Sequence, residues 1–521
     1  MNRRDALRGL GLTATSLSLN RAGLAAPRVG PNVAPNVTAN GASKVAPNDK
    51  LTVACIGVGA QGLRVLLDVL RLPEIQVVAV CDVNRGSSDY LDWGPNELRN
   101  KVRTVLQNSS WGATFPGPTA GREVTQGIVN AFYAKERGML NYKGCTGYED
   151  FREVLAKGKD LDAVIVSTPD HWHAPIAIAA MRAGKHVYSQ KPMAHSVWEC
   201  REMVRVAKET GRATQVSIFN SNSEASRQVQ KLLSGGVIGP VRSIDIWTKR
   251  ASAFWKQGLA TPTHADEIPD GLNWDMWVGP APIRPFSKSY LPFVWRAWYD
   301  FGCGALGDMG EYGFDTIFRA VGLQAANRIE ASTTDLFPES YPVASSVHFS
   351  FAKTTIRPEL TMNWFDGGIE PPRPPELADG EAMGTDGEGV IYTGDHGKLM
   401  TAFMGQNPRV LSEHGKITTA FAAPEKKEQP FQPARPELGG SASSADAEHF
   451  LEWVRACQGG PPARANYAYE APIVETLMLG CIAVRTHEVL EWDAENFRFT
   501  RGSDRAAALL KAQHRSPWGI S

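Results

Sequence analysis

The sequence predicts an α/β protein whose N-terminal part is a doubly wound parallel sheet, and three observations carry that expectation. Short, continuous apolar runs recur at Leu51-Thr-Val-Ala-Cys-Ile56, residues 76–81 and residues 163–168, as in strands buried on both faces. Amphipathic stretches of helical length alternate with them. The first run also feeds directly into a glycine-rich turn, Gly57-Val-Gly59-Ala-Gln-Gly62. With 521 residues the chain is long enough for two cores of ordinary size.

The turn is followed by a helix carrying Leu63, Leu66, Leu67 and Leu70, then by a second strand ending at Asp82, about 20 residues beyond Gly62. This strand, turn, helix, strand and acid order is what a dinucleotide demands. Gly57 permits the tight turn, Gly59 lets the backbone approach a pyrophosphate, and Gly62 lets the helix pack closely on the strand. Gln61 lies in the first helical turn, whose unpaired N–H groups favour phosphate. Asp82 is placed to accept hydrogen bonds from a ribose diol and to repel a 2′-phosphate, which favours NAD, while Arg85 keeps NADP open.

An insertion rich in polar residues, Gly and Pro spans about residues 84–145. Helices are expected in it near 96–107 and 122–137, with a loop at 109–118 that exposes Trp111 and Phe115 and is of a type that frames pockets. The βα rhythm then returns: helix 148–157, strand 163–168, helix 174–183, strand 186–189, helix 197–210 and strand 213–218. The Rossmann domain therefore covers residues 50–218.

Thr168-Pro-Asp-His-Trp-His173, Gln190-Lys-Pro192 and the segment from Trp295 through Asp308 to Gly310 together resemble the Gfo/Idh/MocA oxidoreductases, over roughly residues 50–500. The resemblance implies a C-terminal α/β domain, here residues 219–500, built on an open, mainly antiparallel sheet that commonly joins subunits into homo-oligomers. It also implies a nicotinamide cofactor contacted by Thr168, Pro169, His173, Gln190 and Lys191, and a small carbohydrate substrate such as a sugar or cyclitol.

Two departures from the family pattern bear on chemistry. Gln190 stands where the family has Glu, so Lys191, which positions cofactor and polarises a substrate oxygen, loses one ion-pair partner. The family's Asp-x-x-x-His reads Asp308-Met-Gly-Glu-Tyr312 here, so its imidazole is gone. Oxidising an alcohol still requires a base within hydrogen-bond reach. Tyr312 qualifies only as a cation-stabilised phenolate, and Asp308, Lys191, His171 and His173 are the other candidates. Asn220, Trp295, Arg296 and Asp315 are the expected substrate contacts; Trp295, Arg296 and Trp298 combine aromatic faces with a fork of donors suited to a sugar ring. Arg227 is a weaker candidate; Asn220 and Arg227 also read as helix-entry and surface groups, and Trp295, Arg296 and Trp298 as a core aromatic cluster with a structural arginine. His171 and His173 have no acidic or Cys partner at ligand spacing, so no metal is expected.

In the second domain, strands are expected at Val241–Trp247, 344–351 and 359–364, helices at 308–321, 445–457 and 471–490, and a surface loop at 366–385; residues 501–521 read as a tail. Lys+Arg and Asp+Glu balance at 55 each, which gives no footprint for nucleic acid. Seven scattered cysteines suggest neither a disulfide framework nor a zinc site. Arg3-Arg4 before a weakly apolar stretch and Ala25-Ala26 resembles a twin-arginine export signal over residues 1–26, followed by a linker at 27–49. No later segment reads as a membrane span. The expectation is a periplasmic, NAD-dependent sugar or cyclitol oxidoreductase that retains its nucleotide. The alternatives are a redox-neutral glycosidase and a non-catalytic sugar- or nucleotide-binding protein.

Overall fold

The computed structural model describes residues 50–158, 160–411 and 444–520, so the expected export signal and linker lie outside the described residues. Six strands, β1 (Leu51–Ile56), β2 (Ile75–Cys81), β3 (Thr146–Tyr148), β4 (Ala163–Val166), β5 (His186–Ser189) and β6 (Thr214–Val216), form a parallel sheet in the order β3-β2-β1-β4-β5-β6. All four residues of β4 are buried, as the unbroken apolar run requires. The strand order reverses between β1 and β4, which opens a crevice at their carboxyl ends.

Helices α1 (Ala60–Leu70), α2 (Glu97–Leu106), α3 (Arg122–Glu136), α4 (Phe151–Lys157), α5 (His173–Arg182) and α6 (Val197–Thr210) cover the sheet. Ser196 caps α6 by accepting the Glu199 N–H at 3.3 Å, while the Glu199 carboxylate accepts the His195 N–H at 3.0 Å. The insertion thickens one side of the domain: Leu98, Val102 and Leu106 of α2 and Ile128 and Val129 of α3 join the apolar cluster of Leu51, Val53, Leu63 and Leu66. Its 109–118 loop differs from expectation. Trp111 and Phe115 are half-buried, pack edge to face at 5.3 Å, and are tied down through their carbonyls by Arg103 and Arg99. Neither lines the cleft. The short edge strand β3 had no apolar run to announce it.

The second sheet has nine strands in the order β13-β12-β11-β7-β10-β9-β8-β14-β15, with one parallel pair, β7 with β10. These are β7 (Val241–Trp247), β8 (Arg328–Thr333), β9 (Ser345–Phe351), β10 (Leu360–Phe365), β11 (Gly389–Gly394), β12 (Gly397–Thr401), β13 (Arg409–Leu411), β14 (Leu490–Asp493) and β15 (Arg498–Arg501). In chain order its helices are α7 (Glu224–Ser234), α8 (Arg250–Phe254), α9 (Trp274–Val278), α10 (Gly304–Val321), α11 (Ser444–Cys457), α12 (Tyr467–Thr486) and α13 (Asp504–Ala508). Helix α10 packs on the sheet through Phe314, which meets Phe349 at 5.8 Å and Trp364 at 6.1 Å. It approaches α12 so closely that a side chain at Gly310 would strike Leu477. By length and composition α12 qualifies as a membrane span, contrary to the sequence reading, yet it is mostly buried as a core helix.

Two segments that the sequence placed in the second domain and in a tail pack against the Rossmann domain. Phe450, Trp453 and Val454 of α11 are buried in the cluster of β1 and α1, and Phe450 stacks on Tyr188 of β5 at 4.9 Å. Residues 504–520 are no loose tail: Trp518 is only 7% exposed and packs on Trp172 at 5.4 Å. Trp453→Ala is therefore expected to destabilise the Rossmann core by about 3–5 kcal/mol, read as a fall in the midpoint of urea unfolding. A loss below about 0.5 kcal/mol would mean that α11 contributes nothing to that core.

Candidate active site

A cleft of about 650 Å³ opens at the crevice and is lined from both domains. At one end lies the glycine turn. Gly57 has φ +81°, and a side chain there would collide with the Ser167 backbone at 2.6 Å. At Gly62 a Cβ would sit 1.9 Å from the Gly57 carbonyl oxygen, so α1 can approach β1 only without one. Asp82 closes this end, accepting the Val58 N–H at 2.7 Å and the Asn84 N–H at 2.8 Å. Burial raises its carboxyl above the ordinary range despite these bonds. Arg85 is exposed and lines a separate surface depression, so no guanidinium from it reaches the cleft to receive a 2′-phosphate.

Gln61, Thr168, Pro169 and Gln190 line the cleft, as expected. Ser167 Oγ, Thr168 Oγ1 and Gln190 Nε2 are buried and find no hydrogen-bond partner among the described residues. Orphaned polar atoms cost free energy unless a ligand satisfies them, so these three, with the glycine turn and Asp82, fit a dinucleotide. His173 does not reach the cleft. Its two ring nitrogens face the carbonyl oxygens of Pro192, at 2.7 Å, and Thr168, at 2.9 Å, and so tie together the loops that follow β4 and β5. Burial lowers its imidazole to about 4, which leaves a neutral ring donating to one of the two. His171 is likewise held between the Phe301 and Trp277 carbonyls and pushed down by burial to about 3.

At the other end of the cleft, Lys191 Nζ donates to the Asp308 backbone oxygen and to Asp308 Oδ1, both at 2.7 Å. Arg296 Nε donates to the same Oδ1 at 3.0 Å. Asp308 therefore supplies the carboxylate partner that Gln190 does not. Burial alone would raise the Asp308 carboxyl, but the Lys191 and Arg296 charges outweigh it and hold it below its ordinary range. Tyr312 lies one turn further along α10, with Lys191 Nζ 5.2 Å from its ring centroid. Burial, then the Asp308 charge, push its phenol upward, so the arrangement keeps Tyr312 neutral and opposes the phenolate considered from sequence. Trp295 and Arg296 line the cleft, with the guanidinium stacked 3.9 Å from the Phe293 ring and 4.2 Å from that of Trp295.

Three expected contacts lie behind the wall. Asn220 donates to the Tyr312 carbonyl at 2.9 Å and to Thr316 Oγ1 at 3.3 Å, and so holds α10 rather than touching substrate. Asp315 is fully buried, paired with Arg319 at 2.7 Å beside buried Glu470. Trp298 donates its indole N–H to the Ser289 carbonyl from a core position. Arg227 pairs with Glu224 on the surface of α7.

Several lining residues were absent from the sequence-predicted set. Asp170, inside the Thr-Pro-Asp-His motif, is 1% exposed, and its Oδ2 accepts the Cys303 N–H at 3.1 Å. Burial, reinforced by Asp308, raises its carboxyl to about 7. Tyr90 lies over Gly59. Trp93, 44% exposed, carries the insertion across to Phe254 and Phe293 of the second domain at 5.3 and 5.7 Å. The Thr-Pro motif offered a signal for Asp170, whereas Tyr90 and Trp93 sit in a segment without periodicity.

Comparison with known proteins agrees with this architecture. The profile of the oxidoreductase family's NAD-binding Rossmann fold matches residues 117–218, and that of the family's C-terminal α/β domain matches residues 222–339. The first match begins inside the insertion, beyond the glycine turn. A glycosyl hydrolase family 109 protein of Shewanella pealeana is 28% identical over 289 residues, 51% of this chain and 53% of that one. Another from a Shewanella species is 26% identical over 276 residues, 49% of this chain and 50% of that one. The chain thus spans about half the length of the curated relatives it matches. The WlbA dehydrogenase of Chromobacterium violaceum, solved with NADH and UDP-GlcNAcA, shares the fold at TM-score 0.50 and 13% identity, over 86% of this chain and 97% of that one. With the two domain profiles matched in order and a glycine turn opening onto the shared cleft, residues 117–218 and 222–339 match the NAD-binding Rossmann domain and the C-terminal α/β domain of the Gfo/Idh/MocA oxidoreductase family.

Proposed function

We propose that the protein is an NAD-dependent oxidoreductase acting on a hydroxyl group of a sugar, cyclitol or sugar derivative. The observation that carries this reading is one cavity with a dinucleotide cradle at one end and the Lys191–Asp308–Arg296 cluster at the other. When bound, NAD supplies the hydride acceptor. Lys191, oriented by Asp308, polarises the substrate oxygen; Asp170 accepts the hydroxyl proton; Tyr312 donates a hydrogen bond as a neutral phenol. Trp295 and Phe293, with Arg296 between them, give the C–H face of a pyranose an apolar wall next to a fork of donors.

The export motif at Arg3-Arg4 supports periplasmic delivery by the twin-arginine route, and scarce free NAD outside the cytoplasm argues for a nucleotide retained and recycled between two substrates. The open sheet supports homo-oligomerisation: its outer face carries a polar row in which Asn363 bridges Asp245 at 2.7 Å and His348 at 2.8 Å. The names of the Shewanella relatives favour a second reading, a redox-neutral glycosidase in which transient oxidation of the sugar acidifies a neighbouring C–H and elimination releases the aglycone. Aglycone release from an aryl glycoside without net NADH separates the two.

Adding sugars or cyclitols to the NAD-loaded protein is expected to change the nicotinamide absorbance, and Lys191→Ala is expected to slow that change by about 10²–10⁴-fold. No change with any polyol, and no effect of the substitution, would leave a binding protein. Asp170→Asn should slow alcohol oxidation by a similar factor and remove the loss of rate below about pH 7 that wild type shows as its carboxylate protonates. The same shift has a stability counterpart. Because the folded-state affinity of Asp170 for its proton is raised, its contribution to stability is complete below the ordinary carboxylate range and is lost as pH rises through about 7. The melting temperature of Asp170→Asn relative to wild type should therefore climb between about pH 5 and pH 8, whereas a parallel pair of curves would show Asp170 to be ionised throughout.

A further inference from the structure

We infer that Trp518 is a cofactor-binding residue, and that the segment 504–520 closes the adenosine end of the cleft and so slows release of the nucleotide. The inference rests on the NAD reading above. Trp518 lines the same cavity as Asp82 and Gly57, although more than 400 residues separate it from them in sequence. Its position is fixed from two sides. Its ring packs edge to face on Trp172, in the turn that follows β4, and the Arg152 guanidinium lies 4.1 Å from its centroid on α4. Helix α4 follows β3, whose Tyr148 carbonyl accepts the Asp82 N–H at 3.1 Å, so the indole stands on the side of the cleft where Asp82 lies.

The segment is anchored rather than draped. The Arg515 guanidinium pairs with the Asp275 carboxylate at 2.8 Å and donates to the Gly279 carbonyl at 3.0 Å, and the Arg515 N–H donates to the Pro280 carbonyl at 2.8 Å. The α9 loop that receives it is itself clamped on the Asp82 loop: Asn273 N–H donates to the Val83 carbonyl at 2.9 Å and Arg85 N–H to the Gly271 carbonyl at 2.8 Å. Two layers of second-domain chain thus roof the place where Asp82 would hold the ribose.

The chemistry of the wall matches a purine. Phe151, Trp172, Leu272, Met276 and Trp518 give the cleft apolar and aromatic faces there. The Trp518 indole N–H is buried and has no acceptor among the described residues, so it is a donor left for an acceptor on the nucleotide. A flat aromatic ligand with ring nitrogens satisfies both features, through stacking and one hydrogen bond.

The test is retention. Protein loaded with NAD is diluted into buffer containing an NAD glycohydrolase that destroys free NAD, and the NAD still bound is measured against time by mass spectrometry. Trp518→Ala is expected to release NAD at least about tenfold faster than wild type, equivalent to the loss of about 1.4 kcal/mol, and Trp518→Phe, which keeps a ring but loses the donor, at an intermediate rate. Arg515→Ala, which loosens the anchor without removing a buried ring, should also hasten release, and it carries the test if Trp518→Ala does not fold. Release from folded Trp518→Ala or Arg515→Ala at the wild-type rate would overturn the assignment while leaving the NAD reading intact. Wild-type protein that takes up no NAD would overturn the NAD reading and this inference with it.

Discussion

The Asp308 carboxylate holds the active end of the molecule together. It receives Lys191 from the loop after β5 of the Rossmann sheet and Arg296 from the 3-10 turn of the second domain, while its own helix α10 is the packing element of the nine-stranded sheet. Its side chain and that of Lys191 are no more than 10% exposed. Removing one partner from such a buried cluster typically costs about 3–5 kcal/mol, because it strands the remaining charges away from water. The same bond that fixes the domains therefore fixes the Lys191 ammonium toward the cleft. Around it the electrostatics divide the carboxyls: Asp308, flanked by two cations, is held ionised, while Asp170, buried with one backbone donor, keeps its proton to near neutrality. Two carboxyls pushed in opposite directions within one cleft are the arrangement expected of a proton-transfer site.

The nucleotide end depends on a different constraint, the approach of backbone to backbone. With Gly57 against Ser167 and Gly62 against the Gly57 carbonyl, β1, α1 and the turn after β4 converge so tightly that no side chain intervenes. The cradle is then roofed by elements remote in sequence, Tyr90 from the insertion and Trp518 from the far end of the second domain. This enclosure links the fold to the retained-cofactor function, since a buried nucleotide leaves slowly.

Local physics made much of this readable in the sequence. Unbroken apolar runs mark β1, β2 and β4 because strands covered on both faces need them, and the glycine spacing before Asp82 is dictated by the pyrophosphate and ribose. Lys191, Asp308, Trp295 and Arg296 meet in the cleft as their motifs suggested. Asn220, Asp315 and His173 do not, because a polar residue near a site is as readily used to pin a helix or loop as to meet a ligand, and only tertiary packing distinguishes the two. Tyr312 shows the same limit: its place on α10 follows from the motif, but burial and the Asp308 charge decide its protonation. The edge strand β3, the docking of α11 on the first domain and the roof formed by Trp518 all depend on contacts distant in sequence, which no window of the chain encodes.

The central claim is that the cleft is a nicotinamide site whose occupant stays with the protein. Denaturing the purified protein and identifying the released nucleotide by mass spectrometry tests it most directly. The account predicts NAD or NADH at close to one per chain and no NADP. An empty protein that also fails to take up added NAD, or one that releases NADP, would contradict it.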